Sequence, residues 1–195
     1  MPKEHSQENN SQRIISATDD VALRLFLNAR GFDLTARIVN GHQQHKSLLM
    51  WPTIANETFA LELHLKCLYK IRGQKCWGHD TKALFDKLSK SDQMTIDSYL
   101  LEIVRHHPNY SEMCERGVRF DADFVAQRAS NAFEKARYWW EGNLPEADSE
   151  GFTTNAGVGT LCDAIRKLIL ELNPTWSDQE KKFRFVLPGQ FRLPS

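Results

Sequence analysis

Apolar residues recur in steps of three and four along most of the chain, and almost nowhere alternate as a strand requires, so the pattern predicts helices throughout. Ala22, Leu25, Ala29, Phe32, Ala36 and Val39 make one stripe of a long first helix, capped by Asp19 or Asp20. Gly31 weakens that helix relative to Ala, but the spacing resumes in register beyond it, so one helix is expected. After "NGHQQHK" a second helix is expected to open near Pro52, whose missing N–H is harmless in a first turn. Phe59, Leu61, Leu63, Leu65, Leu68 and Ile71 leave it only one polar stripe, Glu62, Lys66 and Lys70, which predicts a central, buried element.

Gly73 ends that helix, and Asp80 caps a third that carries Ala83, Leu84 and Leu88. Ser91 or Asp92 is expected to cap a fourth, which runs to His106, while the aperiodic stretch from Asn109 to Asp123 reads as a loop. A helix from Phe124 to Glu141 has Val125, Ala129, Ala132, Phe133, Ala136 and Trp140 on one face. Val158, Leu161, Cys162, Ile165, Leu168, Ile169 and Leu172 form the cleanest stripe of all, and Pro174 stops it. Ser177 followed by Glu180 matches a capping box for a short last helix. The expected fold is therefore an all-α antiparallel helical bundle with additional C-terminal helices. It spans residues 14–183, between a disordered tail (1–13) and an irregular tail (184–195) whose Phe residues pack back on it.

Composition narrows the function. The 25 Lys plus Arg balance the 25 Asp plus Glu, so no bulk charge draws the chain to phosphate backbones or anionic membranes, and a nucleic-acid surface has to be local. With 41% hydrophobic residues over 195 positions, including five Trp and eleven Phe, one domain can build a substantial core. No apolar run approaches a membrane span and the N-terminus lacks a signal-peptide core, so a cytoplasmic protein is expected, with no membrane partner. Cys67, Cys76, Cys114 and Cys162 show no paired spacing and are expected as reduced thiols.

Chemically capable groups crowd the connection "RGQKCWGHD" between the second and third helices. Together with "ALELHLKCLY" before it, "LFDKL" after it and the later "NAFEKARYWWE", it resembles the HEPN (higher eukaryotes and prokaryotes nucleotide-binding) superfamily, in particular its small bacterial stand-alone members. The resemblance covers roughly Leu49 to Glu141. It implies an all-α bundle, a homodimer, and in active members a metal-independent ribonuclease of toxin-antitoxin or phage-defence systems, with other members binding nucleotides, RNA or an operon-encoded protein partner. Carried residue by residue, it makes Arg72 and His79 the catalytic candidates, an Arg and a His that polarise a phosphodiester and move protons for attack by the RNA 2′-hydroxyl. In active members that motif opens a late helix, whereas here it lies in the turn after the second. A second cluster, "RHHPNY" from Arg105 to Tyr110, resembles a variant of it.

The same residues have a purely structural reading. His79 sits beside a cap and reaches a carbonyl or Glu62, Asp80 satisfies free N–H groups, and Glu62 and Lys66 are a favourably ordered i, i+4 pair. Arg137, Tyr138 and Glu141 are either solvent-facing or the far half of a network with Glu62 and His79. A network that fixes helix register is favoured over catalysis. Cys76 with His79, and His42 with His45, have ligand-like spacing, but a structural zinc site needs four ligands of recognisable pairing, so no metal and no cofactor are expected. Tyr138, Trp139 and Trp140 point in different directions on a helix and are assigned to packing rather than base stacking.

Overall fold

The computed structural model describes residues 5–41, 46–107, 110, 114, 115, 117, 119–138 and 157–183. Within the terminal stretches of helices, side chains are described from 20 in the first, from 49 in the second, to 132 in the fifth and to 182 in the last. The fold is all-α. Among the described residues seven helices follow one another: α1 (His5–Gly41), α2 (Lys46–Ile71), α3 (Thr81–Asp86), α4 (Lys90–His106), α5 (Ala122–Tyr138), α6 (Val158–Leu172) and α7 (Trp176–Phe183). No strand occurs among the described residues.

Helix α2 is the hub and packs on α1, α3, α5 and α6. Its pairing with α1 is antiparallel: the Cys67 thiol donates to the Ala22 carbonyl, Phe26 meets His64 edge-on, and Phe32 stacks on Phe59. The same reversal joins α4 to α6, through Tyr99 with Glu171 and Glu102 with Lys167. Leu61, Leu65 and Leu68 of α2 are buried with Phe26, Leu84, Ile96, Leu100, Val125, Leu161, Ile165 and Ile169. Each fully buried side chain of this size contributes about 1.5–3 kcal/mol of transfer free energy.

Several helix limits differ from the periodic reading. Helix α1 begins at His5, within the expected tail, so Asp19 and Asp20 lie inside it and cap nothing. Gly31 stays within the single α1. The buried α1 seam is Ala22, Phe26, Ala29, Asp33 and Ala36, while Phe32 is exposed. A carboxylate at a core position masked the true phase. Helix α2 starts at Lys46, so Pro52 is interior, not first-turn. Packing of its early turns, where Thr53 and Ile54 are buried, overrides the local rule. Ser89, not Ser91 or Asp92, caps α4, its hydroxyl accepting from the Asp92 N–H at 3.1 Å. Asp121 caps α5 through the Phe124 N–H at 2.8 Å. Ser177 lies inside α7, and Glu180 turns away from any capping box toward two arginines.

Two stops are as the sequence indicates. Gly73, at φ 67°, lets the Gly73 N–H reach the Lys70 carbonyl at 3.0 Å and the Gln74 N–H reach Tyr69 at 2.8 Å, a Schellman closure of α2. Asn173 and Pro174 end α6.

Candidate functional site

The Schellman turn throws the chain off the end of α2, and Asp80 catches it at the start of α3. Asp80 accepts from the Ala83 N–H at 3.1 Å and from the Ser130 hydroxyl of α5 at 2.9 Å. Burial pushes its carboxyl up, but the N–H groups of Ala83 and Lys82 and the Ser130 hydroxyl outweigh that and hold it below the usual range. Thr81 donates to the Ala126 carbonyl at 3.0 Å, so the turn is pinned to α5. The Tyr69 hydroxyl donates to the Leu84 carbonyl at 2.7 Å and ties α2 to α3.

Between these anchors the structure brings Glu62, Lys66 and His79 together. One oxygen of the buried Glu62 side chain, 6% exposed, accepts from Lys66 Nζ at 2.6 Å and faces His79 Nδ1 at 3.0 Å. A carboxylate has no proton to give, so Nδ1 donates, and in the neutral ring Nε2 then carries the lone pair, on a side chain that is 74% exposed. The arrangement fixes an imidazole's tautomer and orientation with a buried carboxylate while its second nitrogen meets solvent. Trp77 beside it is 83% exposed, far beyond what packing asks of an indole. Burial raises the Cys76 thiol, and Lys66, Lys70 and Lys87 pull against that rise without reversing it, so this cysteine is no activated thiolate. Lys70 lies in the last turn of α2 and Lys87 at the end of α3, so both flank the turn.

Arg72 is placed differently. Its guanidinium is bidentate to Asp92 of α4, Nε to Oδ2 at 3.1 Å and Nη2 to Oδ1, and the Asp92 side chain is only 3% exposed. It therefore does not join His79 in the Glu62 cluster. Arg137 and Tyr138 lie on the last turn of α5, but their side chains fall outside the described residues, as does Glu141 altogether, and so does the proposed far half of the network. His42 and His45 also lie outside them. Among the described residues no group of three or more His, Cys, Asp or Glu is arranged to hold a metal. Arg105 is exposed at the end of α4, and the described ring of Tyr110 packs on His107 and Phe120.

A second polar cluster escaped the periodic reading. Asp33 of α1, buried, accepts from Arg30 and, at 2.9 Å, from Arg37, which also reaches Asp163 of α6 at 2.7 Å. Glu180 of α7 accepts from Arg30 Nε at 2.6 Å and from Arg166 of α6 through Nε at 2.9 Å and Nη2. Glu57 on α2 is pushed up to about 7, chiefly by burial and then by the charge of Asp33. His64 is completely buried and is pushed down to about 3, by burial first and then by the charges of Arg30 and Arg166. The only sequence signal was polar residues at seam positions of otherwise apolar helices.

Together these features define an all-α helical protein with one polar cluster at the α2–α3 turn and another that joins α1, α6 and α7. Compared with models of known protein families, with curated proteins and with solved structures, the chain matches none. No helix among the described residues is long and apolar enough to cross a membrane.

Proposed function

We propose that the protein binds single-stranded RNA at the turn between α2 and α3 and cuts it without a metal, in the manner of the HEPN ribonucleases that its motifs resemble. One observation carries this reading: His79 is an exposed imidazole held at Nδ1 by the buried Glu62. In the proposed step Nε2 of His79 takes the proton of a 2′-hydroxyl. The oxygen then attacks the adjacent phosphorus, and the P–O5′ bond breaks to give a 2′,3′-cyclic phosphate and a 5′-hydroxyl as the leaving oxygen takes a proton from water, the imidazolium returning its own to solvent. The exposed Trp77 supports a stacked base, and Lys70 and Lys87 on either side of the turn support the phosphates. Arg72, engaged with Asp92, is not available to polarise the phosphate unless that pair opens, so the lysines take the role first expected of it.

The test uses a fluorescent single-stranded RNA in EDTA. Wild-type protein should release cyclic-phosphate ends, and His79→Ala should lose about 10²–10⁴-fold in rate, the usual worth of general acid–base catalysis. Trp77→Ala should weaken RNA binding by about 1–3 kcal/mol. Binding without cleavage would leave an RNA-binding module, and the absence of both binding and cleavage would sink the proposal.

A second reading, a register-fixing network, is favoured by the burial of Glu62 and its bond to Lys66. It expects His79→Ala to change stability and no RNA activity at all. Homodimerisation, implied by the resemblance, belongs to the proposal. The exposed Phe32 and Phe59, stacked at 5.5 Å between ring centroids, with Ile38 on the same helix as Phe32, supply apolar surface for it.

A further inference from the structure

Helix α7 runs parallel to α1 in a register that two contacts fix. Trp176 lies on Phe26 with ring centroids 5.7 Å apart, and one turn further along both helices Glu180 accepts from Arg30 Nε at 2.6 Å. Glu180 also accepts from Arg166, so α7 lies where α1 and α6 meet. Trp176 and Glu180 are buried, whereas Ser177, Asp178, Gln179, Lys181 and Lys182 are exposed or half-buried. A helix of 8 residues is marginal by itself, so its place depends on such tertiary contacts.

On this side α1 carries a second apolar row beside its buried seam. Leu23, Leu27, Leu34 and Ile38 recur at helical spacing and fall within about a sixth of a turn of one another. Phe26 and Arg30, the residues that α7 touches, flank this row. Leu23 and Leu27 are partly buried against the core, but Leu34 and Ile38 are 37% and 42% exposed. There is room above them, since a Cβ at the neighbouring Gly31 would meet nothing within 4 Å.

The row turns from covered to exposed where α7 ends. In the register of Trp176 on Phe26 and Glu180 on Arg30, position 184 comes level with Leu34 and position 188 with Ile38, and an extended chain arrives sooner. Residues 184–195 lie outside the described residues. Their sequence changes character at this point: after the polar Lys181 and Lys182, the chain continues through Phe185, Val186 and Leu187. Three adjacent apolar side chains gain free energy by leaving water, and the nearest apolar surface ahead of them is Leu34 and Ile38.

We propose that Phe185, Val186 and Leu187 dock on Leu34 and Ile38 of the same chain, so that the segment after α7 completes the cover of this second row and straps α7 to α1. The seat is separate from the stacked Phe32 and Phe59, because Leu34 lies about 160° around the α1 axis from Phe32. The docked segment takes Ile38 for itself and leaves Phe32 and Phe59 to a second copy.

Methyl and aromatic NMR of the full wild-type chain tests this directly. Nuclear Overhauser contacts should join the methyl groups of Leu34 and Ile38 to the ring of Phe185 or the methyl groups of Val186 and Leu187. In a mixture of methyl-labelled and ring-labelled chains the Phe185 contacts should vanish, because they form within one chain. Thermal melts give a second measurement. Ile38→Ala and Phe185→Ala should each lower Tm, and the double variant should lose clearly less than the sum of the two. Absence of contacts between 185–187 and the row overturns the proposal, as do strictly additive Tm losses. Contacts that persist in the mixed sample also overturn it, and assign the seat to the segment of a second copy.

Discussion

Arg72→Ala tests most sharply whether Arg72 serves the fold or a substrate. The substitution removes both donors from Asp92, a carboxylate 3% exposed in the first turn of α4. Hydrogen bonds to a charged group contribute about 1.5–3 kcal/mol each when well shielded. The Arg72 side chain is 39% exposed, so solvent screens part of this interaction. The Ser89 cap and the helix N-terminus still favour the negative charge of Asp92 after the arginine is gone. The net loss should be on the order of 2 kcal/mol, which for a chain of this size lowers Tm by about 4–8 °C. Arg72→Lys, which keeps the charge but not the fork, should fall between. Asp92→Asn in the Arg72→Ala background should recover at least half of the loss, because the stranded charge rather than the missing contact is the main cost. Thermal melts followed by circular dichroism read all four proteins. A Tm within a degree of wild type for Arg72→Ala, accompanied by loss of RNA cleavage, would refute this account and return Arg72 to the substrate.

Three further outcomes follow from the same physics. Glu57, at about 7 in the fold against an ordinary 4.5, binds its proton more tightly folded than unfolded, so it costs the native state stability as pH rises from 4.5 to 7 and no more above that. Denaturant melts at pH 5 and pH 7.5 should show Glu57→Gln flattening that decline, and an unchanged slope would remove Glu57 as its source. Gly157 caps α6 at φ 94°, and a Cβ there would sit 3.1 Å from Phe120 and 3.3 Å from Val125. Gly157→Ala should therefore cost about 1–3 kcal/mol through backbone strain and crowding, and an unaltered Tm would show that the turn relaxes freely. Light scattering at micromolar concentration should give twice the chain mass, and a monomer would remove any shared-cleft version of the ribonuclease proposal.

How much was legible depended on how far each feature reaches along the chain. The stop at Gly73 and the cap at Asp80 are local: a positive φ that glycine adopts freely and an acceptor for N–H groups a few residues on. Glu62, Lys66 and His79 could be grouped from sequence because a helix sets the first two one turn apart and a short connection returns the third. The α6 stripe was legible because every core position in it is apolar or small. Where a core position carries a charge, periodicity misleads, and Asp33 shifted the apparent seam of α1 onto the exposed Phe32.

Tertiary structure alone decided which charges meet. Arg72, just past the end of α2, and Asp92 of α4 lie twenty residues apart, and Arg30 and Glu180 lie 150 apart, so no local spacing could pair them. The same holds for the start of α2, where packing carried the helix through Pro52 against the local preference. A sequence by itself specifies helices and caps because those energies are short-ranged. Which polar side chains lie buried, and against what, depends on helix crossings that only the assembled core determines.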